Sequence, residues 1–231
     1  MILGKKREMN AKLVVESSVL SSSELVSAFN VTPFRRWSIG EAVVRPHKTL
    51  HEKSNGFLLH SRLPSDENVE DHLADLCAQL GNVSTGGIGQ FRNEYAAEFR
   101  IGIDLFSGAE IHVKLGRNFL TMASIIGAAI DIDILYLSSQ SAKDDFHTYD
   151  TLVRVNAGRS THCLFNARGI DAFDRFVAYL YRRVKLMPSK FPTEFTINVT
   201  GAAPILNMPV DFIALLDKHG MSVRFILRDA E

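Results

Sequence analysis

Positive charge and aromatic side chains occur together in residues 34–53, and this combination is the clearest chemical signal in the chain. The cations there are Arg35, Arg36, Arg45, Lys48 and Lys53, against two acids, Glu41 and Glu52, with Phe34, Trp37, His47 and His51 interleaved. A positive excess beside an aromatic ring suits an acidic protein partner, a phosphorylated ligand or single-stranded nucleic acid.

We therefore predict a ligand- or partner-binding surface formed by Arg35, Arg36, Trp37, Arg45 and Lys48. If it binds a partner, the guanidinium groups of Arg35 and Arg36 should be unpaired in the free protein, because an arginine already bonded to a carboxylate offers little to a ligand. The alternative is structural: Trp37 and Phe34 close one end of the core, and the arginines are solvated or pair with the acidic helix.

Asp131 and Asp133 are the second candidate pair, because residues two apart on a strand project from the same face. Paired carboxylates can bind a metal ion or carry out acid–base chemistry. No histidine or third acid lies at ligand spacing nearby in the sequence. We therefore predict a solvated or edge-protecting strand face rather than a site.

Two pairs that contain histidine also fail as sites. His47 and His51 have the spacing of zinc ligands on a helix, but the stretch around them lacks helical periodicity and predicts a surface loop. His162 and Cys163 are adjacent on a predicted strand, so they point to opposite faces and cannot form a dyad.

His72 lies on an apolar helix face and is predicted to be a core histidine. The glycine-rich stretch 85–89 follows a helix and precedes a strand, the reverse of a phosphate loop, and predicts a flexible loop. No serine, cysteine or lysine stands in a recognised nucleophile signature. We expect no catalytic residues, no metal and no cofactor.

Composition narrows the class of protein. The chain has 231 residues, 46% hydrophobic and 23% charged, which is typical of a globular protein. Its 26 basic residues balance 26 acidic ones, so the chain lacks the positive excess typical of a nucleic-acid-binding protein, and we expect no nucleic-acid partner. The two cysteines, Cys77 and Cys163, are expected to be reduced and buried. The start resembles no signal peptide and no apolar run has transmembrane length, so we expect a cytoplasmic protein without membrane contact.

Hydrophobic periodicity predicts alternating strands and helices in both halves. Ser21 and Glu24 form a capping box before the first helix, with Leu20 and Leu25 as a hydrophobic staple. A second helix is predicted over 68–80 and a third over about 117–126, ending at Gly127. Between them, strands at 99–103 and 111–115 are predicted to form a hairpin that turns at residues 107–108.

The two halves also align with each other. Residues 69–80 match 173–184, residues 98–103 match 194–199, and residues 119–134 match 212–227, with offsets that change only in loops. We predict an α+β fold of two tandem β-α-β-β-α-β units, ferredoxin-like, with mainly antiparallel sheets and helices on one face. The predicted divisions are an extension at 1–8 preceding Met9, a lobe at 9–137, a linker at 138–150 and a shorter lobe at 151–231.

The first half resembles the bacterial domain of unknown function 4279 family. The motifs are Thr32-Pro33 followed by Trp37-x-x-Gly40, and then Gly56-Phe57-x-Leu59-x-Ser61; the leucine-rich acidic helix and the strand at 129–133 also fit. The likeness covers about 11–137. It implies the fold of that family and no activity. The second half lacks the first helix and the Pro-Trp-Gly segment.

We predict a non-catalytic interaction module of regulatory or immunity type that binds a protein partner, as a monomer or weak homodimer. The alternative is a regulator that binds phosphate or a small ligand through residues 34–53. A third interpretation is an enzyme whose residues meet only in the fold. An exposed apolar patch would favour the interaction module, and an anion bound near Arg35 or Arg36 would favour the phosphate- or ligand-binding regulator. A cleft with a pair of titratable groups of perturbed pKa would favour an enzyme.

Overall fold

The fold is described by a computed structural model that covers residues 9–45, 48–81, 83, 85–106, 110–137, 152–157, 163–168, 171–186, 194–200 and 205–228. The predicted extension at 1–8, the linker at 138–150, the turn at 107–108, His47 and His162 lie outside these residues. Within the described part of the chain, no helix is long and apolar enough to cross a membrane.

Strands and helices follow one another in a mixed α+β arrangement. The first half contains β1 (Met9–Ser17), α1 (Ser22–Phe29), β2 (Arg35–Trp37), β3 (Ala42–Arg45), β4 (Lys48–His51), β5 (Asn55–His60), α2 (Val69–Gln79), α3 (Thr85–Gly89), β6 (Ala96–Phe106), β7 (Glu110–Leu115), α4 (Arg117–Ile126) and β8 (Ala128–Leu137). The second half contains β9 (Leu152–Ala157), β10 (Cys163–Arg168), α5 (Ala172–Leu186), β11 (Glu194–Thr200), β12 (Ile205–Met208), α6 (Val210–Lys218) and β13 (Ser222–Arg228).

Local sequence signals set the helix ends. Ser21 accepts a hydrogen bond from the amide of Glu24, whose carboxylate bonds back to the Ser21 amide, so the predicted capping box is confirmed. Gly127 has φ +64° and caps α4, the left-handed conformation that glycine adopts most easily. The glycine-rich stretch 85–89, predicted as a flexible loop, is instead the short helix α3.

The described strands form two larger sheets. The order is β12-β8-β6-β1-β5-β2 in the first sheet and β10-β9-β11-β13-β7 in the second. The pairs β6–β8 and β11–β13 are parallel, and the other pairs are antiparallel.

Each half of the chain gives one strand to the sheet of the other half. β7 pairs with β13 rather than with β6, and β12 pairs with β8. The hairpin predicted between β6 and β7 is therefore wrong, and the strand order differs from the predicted ferredoxin-like one. The physical reason is that alternation fixes the buried face of a strand and leaves its partner open. The predicted repeat matches β6 with β11 and β8 with β13, and these strands occupy equivalent places in the orders β12-β8-β6-β1-β5 and β7-β13-β11-β9-β10.

The helices pack against both sheets. α2 contacts β1 and β7, α5 contacts β9, β10 and β12, and α4 packs along α6. Thr121 on α4 donates a hydrogen bond of 2.5 Å to Asp217 on α6. Phe119 and Phe212, at matched positions of these two helices, are both buried. The two halves of the chain are thus joined by strands, by helix packing and by a buried core.

Candidate functional site

Trp37 is built into the end of the first sheet. β2 pairs with β5, and Trp37 lies opposite Gly56. A Cβ atom at Gly56 would lie 2.6 Å from the carbonyl oxygen of Val15 and 2.7 Å from Cε2 of Trp37, so this position must be glycine for the indole to lie over the strand. Trp37 is only 7% exposed, and its Nε1 has no hydrogen-bond partner among the described residues. The ring contributes to structure as well as to the candidate surface.

Arg35 does not meet the expectation of an unpaired guanidinium group. Its Nη2 donates a hydrogen bond of 3.1 Å to Oε1 of Glu52 and lies 4.0 Å from Oε1 of Glu41. The guanidinium carbon also lies 5.6 Å from the centre of the Trp37 ring, within cation–π range. The structural alternative, in which the arginines are solvated or pair with the acidic helix, does not hold for Arg35 either, because its carboxylate partners are Glu41 and Glu52.

Arg36 does meet the expectation. It is exposed, and within the described residues no ion pair or side-chain hydrogen bond involves it. Arg45 and Lys48 face each other in the register of β3 and β4, but their side chains lie outside the described parts of the structure. The structure thus places Arg35, Arg36 and Trp37 on one short strand, with Arg45 and Lys48 on a neighbouring hairpin.

The hairpin formed by β3 and β4 is a two-stranded sheet separate from the other two. At its base the two arms are joined by further backbone hydrogen bonds: the amide of Gly40 donates to the carbonyl oxygen of Glu52 at 2.9 Å, and the amide of Glu52 donates to the carbonyl oxygen of Glu41 at 3.0 Å. His51 lies on β4 rather than in the predicted surface loop, with its Nδ1 2.9 Å from the carbonyl oxygen of Gly40. An isolated two-stranded hairpin is at best marginally stable in water.

Exposed apolar side chains concentrate in the same segment. Among the described residues, the large hydrophobic side chains that are exposed are Phe34 (76%), Ile39 (53%), Val44 (82%), Leu50 (37%) and Val19 (69%). All but Val19 lie within residues 34–53. The charge of this segment is evident from the sequence, but its apolar exposure is not, because valine and leucine in a strand normally indicate burial.

A polar cleft lies on the first sheet, across from its helix-packed face. It is lined by Asn10, Lys12, Glu98, Arg100, Ile101, Gly102, Asp131 and Asp133. The strands that carry these side chains are adjacent: in register, Lys12 lies opposite Arg100, which lies opposite Asp131. The cleft therefore collects charges of both signs from three strands.

Asp131 is not at an edge, since β8 runs between β6 and β12. It accepts a hydrogen bond from Asn207 and shares another with Glu98. Burial, followed by this hydrogen bond and by the negative charge of Glu98, raises the pKa of Asp131 to about 6. Burial also acts on Glu98, but its hydrogen bonds with Asp131 and Arg100 give it a lowered pKa. The edge-protecting alternative is therefore wrong, while Asp133 is exposed, as the solvated alternative predicts. The acid beside Asp131 is Glu98, on the neighbouring strand.

Of the other predicted core residues, His72 is confirmed, whereas Cys77 is only partly buried and the side chain of Cys163 lies outside the described part of the structure. His72 is buried, and its Nδ1 lies 2.8 Å from Oγ of Ser61; burial, and then the nearby charge of His60, lower its pKa. Cys77 is a free thiol whose pKa burial raises to about 11, so it is a poor nucleophile at neutral pH. Within the described ranges, no group of three or more histidine, cysteine or acidic residues could hold a metal ion.

Comparison with known proteins adds one match. Residues 7–137, more than half of the chain, match the family model described as Domain of unknown function (DUF4279). No curated protein and no solved structure matches the chain. The match covers β1 to β8, and so includes residues 34–53, both carboxylates of the Glu98–Asp131 pair, and β7, the strand that pairs in the other sheet.

Proposed function

We propose that this chain, which belongs to the DUF4279 family, is a non-catalytic protein-interaction module of a bacterial cytoplasm, of regulatory or immunity type. Its contact surface is residues 34–53. The two related halves hold this surface on a shared core and do not themselves contact the partner. Specificity then resides in the segment that the second half lacks.

The observation that carries this proposal is the exposure of Phe34, Ile39, Val44 and Leu50 in one segment. Exposed apolar groups that cluster beside charged ones are typical of protein–protein contact surfaces. Val44 and Leu50 lie on opposite faces of the hairpin, since Val43 and not Val44 is paired with Leu50. A partner that covers the hairpin would bury these side chains and stabilise a segment that has few contacts of its own.

The alternative, a phosphate- or small-ligand-binding regulator, receives less support. The guanidinium group of Arg35 already binds Glu52, and the clefts described in the structure are lined by other residues. A small anion would also leave Val44 and Leu50 exposed. Arg36 alone is a weak basis for a phosphate site.

A photo-cross-linking amino acid placed at Val44 in the native host tests the interaction proposal, with the same amino acid at Val19 as the matched control. Both valines are largely exposed, but only Val44 lies in the proposed surface. We expect a specific protein adduct at position 44, and weaker binding of the purified adduct protein to V44D than to V19D. Equal adducts at the two positions, or equal binding by the two variants, would contradict the proposal.

One observation favours a second candidate function, acid–base chemistry in the polar cleft. Two hydrogen-bonded carboxyl groups with divergent pKa values are a common arrangement for a general acid and a general base, and Glu98 and Asp131 have it. The role requires Asp131 to titrate near pH 6 in solution. A carboxyl NMR titration would measure this, and an Asp131 pKa near 4 would remove the candidate.

A further inference from the structure

The contacts within residues 34–53 leave positive charge without a partner in the segment. Both acids of the segment are used internally: Glu52 binds Arg35, and Glu41 accepts a hydrogen bond of 3.1 Å from the amide of Ser38. Arg36 and Lys53 are both exposed, and neither has an ion-pair partner among the described residues. The charge that this surface can offer a partner is therefore positive.

We propose that the surface binds an acidic protein segment that also carries apolar side chains, an inference that rests on the interaction function proposed above. Complementary charge selects an acidic partner and disfavours a basic one. The apolar side chains at Phe34, Val44 and Leu50 need apolar atoms to cover them, which an isolated phosphate group cannot supply. Single-stranded nucleic acid fits less well, because Phe34 offers one exposed ring whereas Ile39, Val44 and Leu50 give its bases no flat ring on which to stack.

A second copy of the chain is a poorer occupant. In a symmetric dimer the same patch lies on both subunits, so the positive charge of Arg36 and Lys53 would be brought against an equally positive patch. Like charges brought together oppose association. The proposal therefore commits to a different, acidic chain, and self-association is one of the outcomes that would contradict it.

Trp37 gives the surface a built-in reporter. It is the one tryptophan of the chain, and its ring lies beneath the guanidinium group of Arg35. A segment that docks against β2 and the hairpin would change the surroundings of Arg35 and hence the emission of Trp37. Binding can thus be followed on the unlabelled full-length chain.

The test is selection of peptides from a random phage-displayed library on the full-length protein. We expect the selected peptides to be enriched in Asp and Glu together with Leu, Ile, Val or Phe, and to change Trp37 fluorescence saturably. Raising the salt concentration should weaken their binding, since exposed charges are screened. The inference would be overturned if the selected peptides were neutral or basic, or if they bound the V44D variant as well as the wild type. It would also be overturned if polyphosphate or single-stranded DNA competed equally well for the surface.

Charge reversal separates this inference from the proposed function. The double variant R36E/K53E should lose about tenfold in affinity for a selected peptide, consistent with two exposed ion pairs. R182E, which reverses an exposed arginine on α5, is the matched control and should bind as the wild type does. If V44D loses binding but R36E/K53E does not, the acidic partner is wrong and the interaction surface stands; if neither variant loses binding, both proposals fail.

Discussion

Replacing Asp131 with Asn should stabilise the protein at neutral pH. The pKa of the Asp131 carboxyl group rises from its ordinary value of 3.8 to about 6 in the fold. Its charged form is therefore disfavoured in the folded state. Protonation of Asp131 stabilises the folded state fully below pH 3.8, and this stabilisation is lost as the pH rises through about 6. Asparagine resembles the protonated acid, since its amide can donate to Glu98 and its carbonyl oxygen can accept from Asn207.

The size of the effect follows from the same values. A rise of the pKa from 3.8 to about 6 corresponds to about 3 kcal/mol at 1.36 kcal/mol per unit. Asp131 is only partly buried and the shared hydrogen bond favours the charged form of Glu98, so solvent screening and this offset reduce the expected gain to about 1 kcal/mol.

The measurement is urea unfolding of wild type and D131N at pH 7.5 and pH 4. We expect D131N to be more stable at pH 7.5 and nearly equal to the wild type at pH 4. Asp133→Asn is the matched control, because it removes the same charge from an exposed position two residues along the strand. A destabilised D131N at pH 7.5, or a gain of equal size at both pH values, would refute the reasoning.

Three further predictions concern stability, each measured by equilibrium denaturation. Gly56→Ala should cost about 1–3 kcal/mol, as in overpacked cores, because its Cβ would meet the Trp37 ring and the carbonyl oxygen of Val15; an unchanged midpoint would show that the indole can move away. Phe119→Ala and Phe212→Ala should each cost about 3–5 kcal/mol; a loss below about 1 kcal/mol would be inconsistent with their burial. Ser21→Ala should cost about 1 kcal/mol through loss of the helix cap, and a neutral result would mean that water replaces the hydroxyl group.

Features decided by neighbours in the sequence were predictable. The capping box at Ser21 and the glycine cap of α4 each depend on a few consecutive residues, and both are confirmed. The burial of His72 followed from helical periodicity alone. Asp131 and Asp133 project from one face as predicted, because that follows from the strand repeat of two residues.

Features that depend on the pairing of strands far apart in the sequence were not predictable. The alternation Ile111-x-Val113-x-Leu115 shows that β7 buries one face, and it would fit a hairpin with β6 as well as the observed pairing with β13. The exchange of β7 and β12 is therefore invisible in a local pattern. It matters for the candidate site, because Asn207 reaches Asp131 only by way of β12.

The polar cleft and residues 34–53 differ in how far they depend on the pairing of distant strands. The Glu98–Asp131 pair forms because β6 and β8 are adjacent in the sheet, so sequence spacing could not reveal it, and any chemistry there depends on the shared core. Within residues 34–53, β2 belongs to the first sheet, whereas the β3–β4 hairpin forms a separate two-stranded sheet. This hairpin, which leaves Val44 in solvent, can change without disturbing the two larger sheets. This independence suits a surface that selects a partner better than one that must align reacting groups.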